Sequence, residues 1–523
     1  MEKTAMAATS HPLATKTALD ILKAGGNAMD AAVAACAVQC VVEPQSTGIG
    51  GDCFCLYSPE GKADYVAYNG SGRAPAAANG AWYRGQGISE IAENSPHAVT
   101  IPGAVDAWDR LINDYGNFYL PDLLKPAIGF ARNGYKILDR VGFDFARGAD
   151  YLKNSEHAAK VFMPGGIMPK AGDIHRQPKL AKTLEIIGEY GRDGFYRGEV
   201  AEDIVGYLKS LGGLHTLDDF VNYRGNYVTP ISATYRGYDI YQCPPNGQGI
   251  IALMLLKIME QIEVEKDGPL SAKRIHQEIE AGRLSYHQRD LYLADPDFNH
   301  VPVDELLGAE NIKRLAAAIT GRRIEKLEPY DLPDHKDTVY ITVVDKDRNC
   351  CSFINTIFRQ FGSGLMSPKT GVLLHNRGRG FSLKKGHPNE IAGGKRPLHT
   401  IIPAMVAKDG RTVMSYGVMG GQYQAFGHMQ FLTRLFDYGL DIQAAMDLPR
   451  FFSDPVSGNV EVESDVGDAV QIILREKGHN LVPPKIPIGG SQAIWIDWEK
   501  DLLLGGSDPR KDGLVAGYSK LKK

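Results

Sequence analysis

The 523-residue chain carries 58 Lys and Arg against 62 Asp and Glu, a formal charge of −4, with 43% hydrophobic and 23% charged residues. This near-neutral balance argues against nucleic acid or an anionic membrane as the main partner. The length supplies a core that needs no disulfide support.

The opening Met-Glu-Lys-Thr-Ala-Met-Ala-Ala has no apolar signal-peptide core, and even 28–42 is interrupted by Asp30 and Gln39, so no membrane span is expected and the expected compartment is the cytoplasm. Apolar residues at helical spacing (Leu13, Ala18, Ile21, Leu22) predict a helix over 13–24 that stops at Gly25-Gly26. Asn27 caps a second helix through about 42, followed by a glycine turn from Glu43 to Asp52 and strands at 53–58 and 63–69. Pro102 is expected in the first turn of a helix, and further helices are predicted at 120–133, 180–190 and 197–211. Residues 227–242 read as β-rich, Pro244-Pro-Asn-Gly-Gln-Gly249 opens a helix over 250–261, and 272–294 is a long helix stopped by Asp295-Pro296. Within it, Glu280-Ala-Gly-Arg-Leu-Ser-Tyr-His-Gln-Arg-Asp lacks metal-site spacing and reads as a polar helix face. A polar, proline-bearing linker over 328–337 then meets an alternating run from Thr338 to Asp345, a turn at Asp347-Arg-Asn and a strand at 350–357, together a β-hairpin. Residues 382–395, rich in Gly, Pro and charge, predict a mobile loop. The seven cysteines (Cys36, Cys40, Cys53, Cys55, Cys243, Cys350, Cys351) are irregularly spaced and read as reduced core thiols; no metal or cofactor is expected.

Threonine is a weak nucleophile unless a base adjoins it. A chain cut just before Thr338 would expose an α-amine with a reference pKa of about 8, near the operating pH. Locally, an ordinary strand-initial threonine remains the competing reading. Gly48-Ile-Gly-Gly-Asp follows a helix and precedes a strand, the reverse of a phosphate cradle.

Several segments resemble the γ-glutamyltransferase family, in order along nearly the whole chain. They include His11-Pro-Leu-Ala-Thr, Gly25-Gly-Asn-Ala-Met-Asp-Ala-Ala, Glu43-Pro-Gln-Ser-Thr-Gly-Ile-Gly-Gly-Asp, Ile101-Pro-Gly-Ala, Cys243-Pro-Pro-Asn-Gly-Gln-Gly, Phe361-Gly-Ser-Gly-Leu-Met-Ser-Pro, Gly420-Gly421 and Asp508-Pro-Arg-Lys-Asp-Gly. The resemblance implies an α+β fold, the four-layer αββα sandwich of N-terminal-nucleophile hydrolases. It implies self-cleavage between Asp337 and Thr338 into a large piece 1–337 and a small piece 338–523 that share one core as a heterodimer; a higher oligomer stays open. Thr338 matches the nucleophile, Thr356 the threonine that hydrogen-bonds to it, and Gly420 and Gly421 the backbone donors of the oxyanion hole.

The family's glutamate pocket is altered. Ser71 stands where the family has an arginine, with Arg73 two residues away; Phe358 replaces an asparagine; Arg377-Gly-Arg-Gly380 replaces a Gln-x-x-Asp stretch; and His399-Thr400 replaces paired serines. The acid that would balance a donor's ammonium is missing, while Arg377, Arg379 and His399 add donors. The candidate substrate-binding residues are therefore Arg377, His399, Thr400, Arg73 and Phe358. The expected substrate is a small carboxylate-bearing amide without an α-ammonium group, oxamate- or glutaryl-amide-like, which places the chain near oxamate amidohydrolase. Two alternatives remain: a conventional γ-glutamyl enzyme acting on glutathione, with Arg377 and Arg379 as surface charges, and an unprocessed binding protein.

Overall fold

The computed structural model describes residues 2–325, 327 and 338–519; the linker expected over 328–337, including Asp337 of the expected cleavage bond, lies outside them. Strand β1 (Ala5–Thr9) leads to helix α1 (Pro12–Ala24), capped by His11 Nδ1 accepting from the Leu13 amide and ended by Gly25 at φ 107°. Asn27 and Asp30 form a reciprocal capping box on α2 (Ala28–Val42), every residue of which is buried. Strands β2 (Asp52–Ser58) and β3 (Val66–Gly70) follow, then α3 (Ala104–Tyr115) and α4 (Leu120–Asn133). Pro102 precedes the N-cap Gly103 instead of lying inside the first turn.

The β-rich stretch resolves into β4 (Asn226–Val228), β5 (Ile231–Tyr235) and β6 (Tyr238–Gln242), after which α5 (Gly249–Glu260) and α6 (Ala272–Tyr292) run. The later elements that complete the sandwich include β7 (Val339–Val344), β8 (Cys350–Thr356), β9 (Ala404–Lys408), β10 (Arg411–Met419), α7 (Tyr423–Phe436), β11 (Gly490–Asp497), β12 (Leu502–Ser507) and β13 (Leu514–Tyr518).

Two sheets stack face to face. The first runs β13-β1-β7-β8-β2-β3-β4 and the second β12-β11-β10-β9-β6-β5, with antiparallel neighbours. Strand alternation divides each sheet's residues between two cores. On β2, Cys53, Cys55 and Tyr57 join the core that packs against α1 to α4, whereas Phe54 and Leu56 turn inward to meet Met405, Met419 and Ile494 of the second sheet. The outer face of the second sheet packs on α5, α6 and α7. The layers are thus αββα, and the first sheet interleaves strands from both sides of residue 338.

The polar side of α6 is internal. Arg274 pairs with Glu278 at 2.8 Å and Asp437 at 2.7 Å, and Arg289 bonds Gln248 at 3.0 Å and also Gln422. Mutual pairing is what lets these charges lie between layers. Among the described residues no helix is long and apolar enough to cross a membrane. All seven cysteines are buried and unbridged.

Candidate active site

The site forms where two strand pairs end together. β7 and β8 pair with Val339 opposite Asn355, so one step further along that register Thr338 faces Thr356; β8 and β2 pair with Thr356 opposite Asp52. The two-residue strand period places Asp52 on the inner side with Phe54, and Thr356 with Ile354. Thr338, Thr356 and Asp52 therefore line one rung at the rim of the inter-sheet core, each no more than 1% exposed.

The second sheet meets that rung through the turn between β10 and α7. Gly420 has φ 121° and Gly421 φ 58°, and a Cβ at Gly420 would come within 2.9 Å of the Gly489 Cα, so glycine is needed there for both conformation and space. Among the described residues the N–H groups of Gly420 and Gly421 have no acceptor. Four residues past Gly420, the Gln424 amide donates from Nε2 to Thr338 Oγ1 at 3.3 Å while its Oε1 accepts from the Ile402 amide at 3.3 Å. Gln248, from the Cys243-Pro-Pro-Asn-Gly-Gln turn, ties the same region together by donating to the carbonyls of Thr400 at 3.0 Å and Gly421 at 3.2 Å.

The Thr356 hydroxyl accepts from the Phe358 amide at 2.9 Å. Phe358 sits at φ 78°, a conformation that costs a non-glycine residue about 1–3 kcal/mol, and its ring lies 3.9 Å from the Arg377 guanidinium. Arg377 opens a single helical turn, Arg377–Gly380, and is 1% exposed, so it is not a surface charge. Its two Nη atoms lie 3.4 and 3.3 Å from Thr400 Oγ1, and Nε has no hydrogen-bond partner among the described residues. Burial pulls this guanidinium down to about 9, against the opposing pull of Asp52, which leaves it charged at neutral pH. Arg379 differs, being engaged by Glu90 and Glu93.

Asp52 joins the segments of the rim. It accepts from the amides of Gly72 at 3.0 Å and Gly103 at 3.3 Å, and from His399 Nε2 at 3.0 Å, with His375 Nδ1 at 3.6 Å. Burial pushes its carboxyl up, but His375, the His399 hydrogen bond and Arg377 outweigh burial and hold it below the ordinary aspartate value. His399 uses both nitrogens internally, because Nδ1 accepts from the Ile401 amide at 3.3 Å. Burial and the nearby Arg377 push its pKa down to about 3, so it is a neutral, fixed wall.

Of the residues singled out in the sequence, Thr338, Thr356, Gly420 and Gly421 lie around the rung, and Arg377, Thr400, Phe358 and His399 line the adjoining wall. Arg73 is directed elsewhere, donating to the Gly394 carbonyl at 2.9 Å and pairing with Asp297 at 3.1 Å. The loop over 382–395 borders this wall: Asn389 bonds the Gly380 carbonyl and the Leu398 amide, and Arg84 holds Glu390 at 2.7 Å. Asp52, Gln424, Gln248 and His375 carry the remaining polar geometry. Asp52 stands at the end of the glycine turn in the sequence, which is a signal of sorts; Gln424 lies inside an apolar helix pattern and has none.

A family model described as gamma-glutamyltranspeptidase matches residues 14–518. The chain is 37% identical to the glutathione hydrolase-like YwrD proenzyme of Bacillus subtilis (strain 168), over 98% of each chain. It is 33% identical to the oxamate amidohydrolase proenzyme of Klebsiella pneumoniae, again over 98% of each. Among solved structures, the cephalosporin acylase from Bacillus halodurans superposes with a TM-score of 0.93 at 37% identity, covering 100% of this chain and 97% of that one.

Proposed function

This chain belongs to the gamma-glutamyltranspeptidase family of hydrolases and transferases, and from that premise we propose that it is a proenzyme cut between Asp337 and Thr338 that acts on small amides bearing a carboxylate but no α-ammonium group. Cleavage turns the amide nitrogen of Thr338 into an amine that takes the proton of its own hydroxyl. Thr338 Oγ1 then bonds to the substrate's amide carbon, and the oxyanion is received by the N–H groups of Gly420 and Gly421. Collapse breaks the C–N bond, releases the amine with a proton, and leaves an ester that water or a second amine resolves.

The observation that carries the substrate class is Arg377, a buried cation that, among the described residues, has no partner for Nε and only the Thr400 hydroxyl as a hydrogen-bonding neighbour. A planar guanidinium in that state is matched by a carboxylate, which it binds through two parallel N–H bonds. An ammonium finds no such match. Gly380 stands where a balancing acid is expected, and a Cβ there would approach the Leu398 carbonyl to 3.0 Å. Asp52 is already saturated by His399, Gly72 and Gly103. Burying an unpaired ammonium beside Arg377 would cost on the order of several kcal/mol.

The test has two parts. Purified protein should separate on a denaturing gel into two fragments, the smaller starting Thr-Val-Tyr-Ile, and Thr338→Ala should stay intact and inactive. On processed enzyme, kcat/KM for a glutaryl anilide or a small ω-amido acid should exceed that for the γ-glutamyl anilide. A γ-glutamyl preference of roughly tenfold, about 1.4 kcal/mol, would overturn the substrate assignment.

A further inference from the structure

We infer that Gln424 is a catalytic residue: its side-chain N–H donates to the oxygen of Thr338 that reacts, stabilising the charge on that oxygen when the acyl-enzyme ester breaks. The inference rests on the reading of Thr338 as nucleophile and extends it to a residue outside the oxyanion hole.

The orientation of the Gln424 amide follows from its neighbours. The Ile402 backbone N–H can only donate, so the atom 3.3 Å from it must be Oε1. That leaves Nε2 as the atom 3.3 Å from Thr338 Oγ1, and an NH₂ group can only donate. Thr338 Oγ1 therefore accepts from Gln424, and its own proton is directed away from Gln424. Gln424 is fully buried in the first turn of α7, so water does not compete for the contact. Its backbone is fixed by the same turn that presents Gly420 and Gly421, since the Gln424 amide donates to the Gly421 carbonyl at 3.3 Å.

One short segment then serves two atoms of the reaction. Gly420 and Gly421 address the substrate's carbonyl oxygen, and Gln424 addresses Thr338 Oγ1. During acylation Oγ1 gives up its proton and forms the Oγ1–C bond. During deacylation water adds to the ester carbon, the Oγ1–C bond breaks with its electron pair passing to Oγ1, and the proton from water returns to that oxygen. Negative charge grows on Oγ1 before the proton arrives, and a preorganised donor in a dry site is most effective at that moment. The long distance in the unliganded site shortens as charge develops.

Two variants separate this role from a structural one. Gln424→Met removes donor and acceptor at similar volume. Gln424→Glu keeps an oxygen for the Ile402 amide but turns an acceptor toward Thr338 Oγ1. Both should lower kcat by roughly 100-fold or more, the lower end for losing one preorganised donor, with KM within about threefold of wild type. For Gln424→Glu the deficit should shrink as pH falls, because a protonated carboxyl donates again, whereas Gln424→Met should show no such recovery relative to wild type. Near-normal kcat in Gln424→Glu at neutral pH would overturn the inference and leave Gln424 as a packing residue. A soluble fold is checked by circular dichroism and thermal melting. If Thr338→Ala retains activity, the nucleophile reading has failed instead, and that control is scored separately.

Discussion

Replacing Arg377 with Met should abolish anion recognition while leaving the fold as stable as before, or more so. The guanidinium is buried, and burial pulls its pKa down to about 9, so the folded state holds the cation at a cost. Against that stand one hydroxyl, the face of Phe358 and the more distant charge of Asp52. Met fills similar volume without a charge, so thermal melting should show no loss of midpoint. A bidentate guanidinium–carboxylate contact, built from charge-assisted hydrogen bonds, is worth about 3 kcal/mol, so kcat/KM for a glutaryl amide should fall roughly 150-fold, mainly through KM. Steady-state amine release measures this, and the rate of self-cleavage serves as the internal control because that reaction needs no substrate carboxylate. Arg377→Lys should recover little, since an ammonium cannot reproduce the planar fork. A fall of less than about fivefold (under ~1 kcal/mol) in kcat/KM for Arg377→Met, with processing intact, would refute the carboxylate assignment.

Phe358→Asn should fold, because asparagine tolerates the positive φ of 78° observed there, and should shift donor preference toward the γ-glutamyl anilide by about tenfold as the ring leaves the wall; competition between the two anilides reads this directly. Asp52→Asn should destabilise the protein at pH 7 by weakening the His399 and His375 contacts. Because the folded Asp52 value is depressed, its contribution is present above the unfolded carboxyl value of about 3.9 and is lost as pH falls through the folded one, so urea titrations of wild type and variant should converge in acid.

Much of the architecture is written locally. The capping residue Asn27, the left-handed Gly25, the alternating run after Thr338 and the paired glycines at 420 and 421 each specify their own conformation through contacts a few residues away, which is why those elements fall where the pattern puts them. Where a proline lies relative to its helix start is settled by a single cap, and there the pattern missed by about two residues, Pro102 preceding the N-cap Gly103 of a helix that begins at Ala104. The ordered γ-glutamyltransferase-like segments implied the αββα layers and the residues of the candidate rung, which are spaced along the chain but joined by strand register.

Side-chain partners across layers are a different matter. Arg377 and Arg379 look alike in sequence, yet one is enclosed beside Phe358 and Thr400 and the other is paired with Glu90 and Glu93; only the packing of that turn against the wall separates them. Arg73 lies beside Ser71 in the chain, but Asp297 and the Gly394 carbonyl draw it away. Gln424 reaches Thr338 across 86 residues of sequence, and Asp52 reaches His399 across 347. Sequence by itself determined the helices, the strands and the alternating run that follows Thr338, because hydrophobic period and backbone geometry act over neighbouring residues, while the layer order was implied by the family resemblance. The tertiary structure alone decided which polar groups meet in the dry rim of the sandwich, because burial and hydrogen bonding there depend on surfaces brought together from the whole chain.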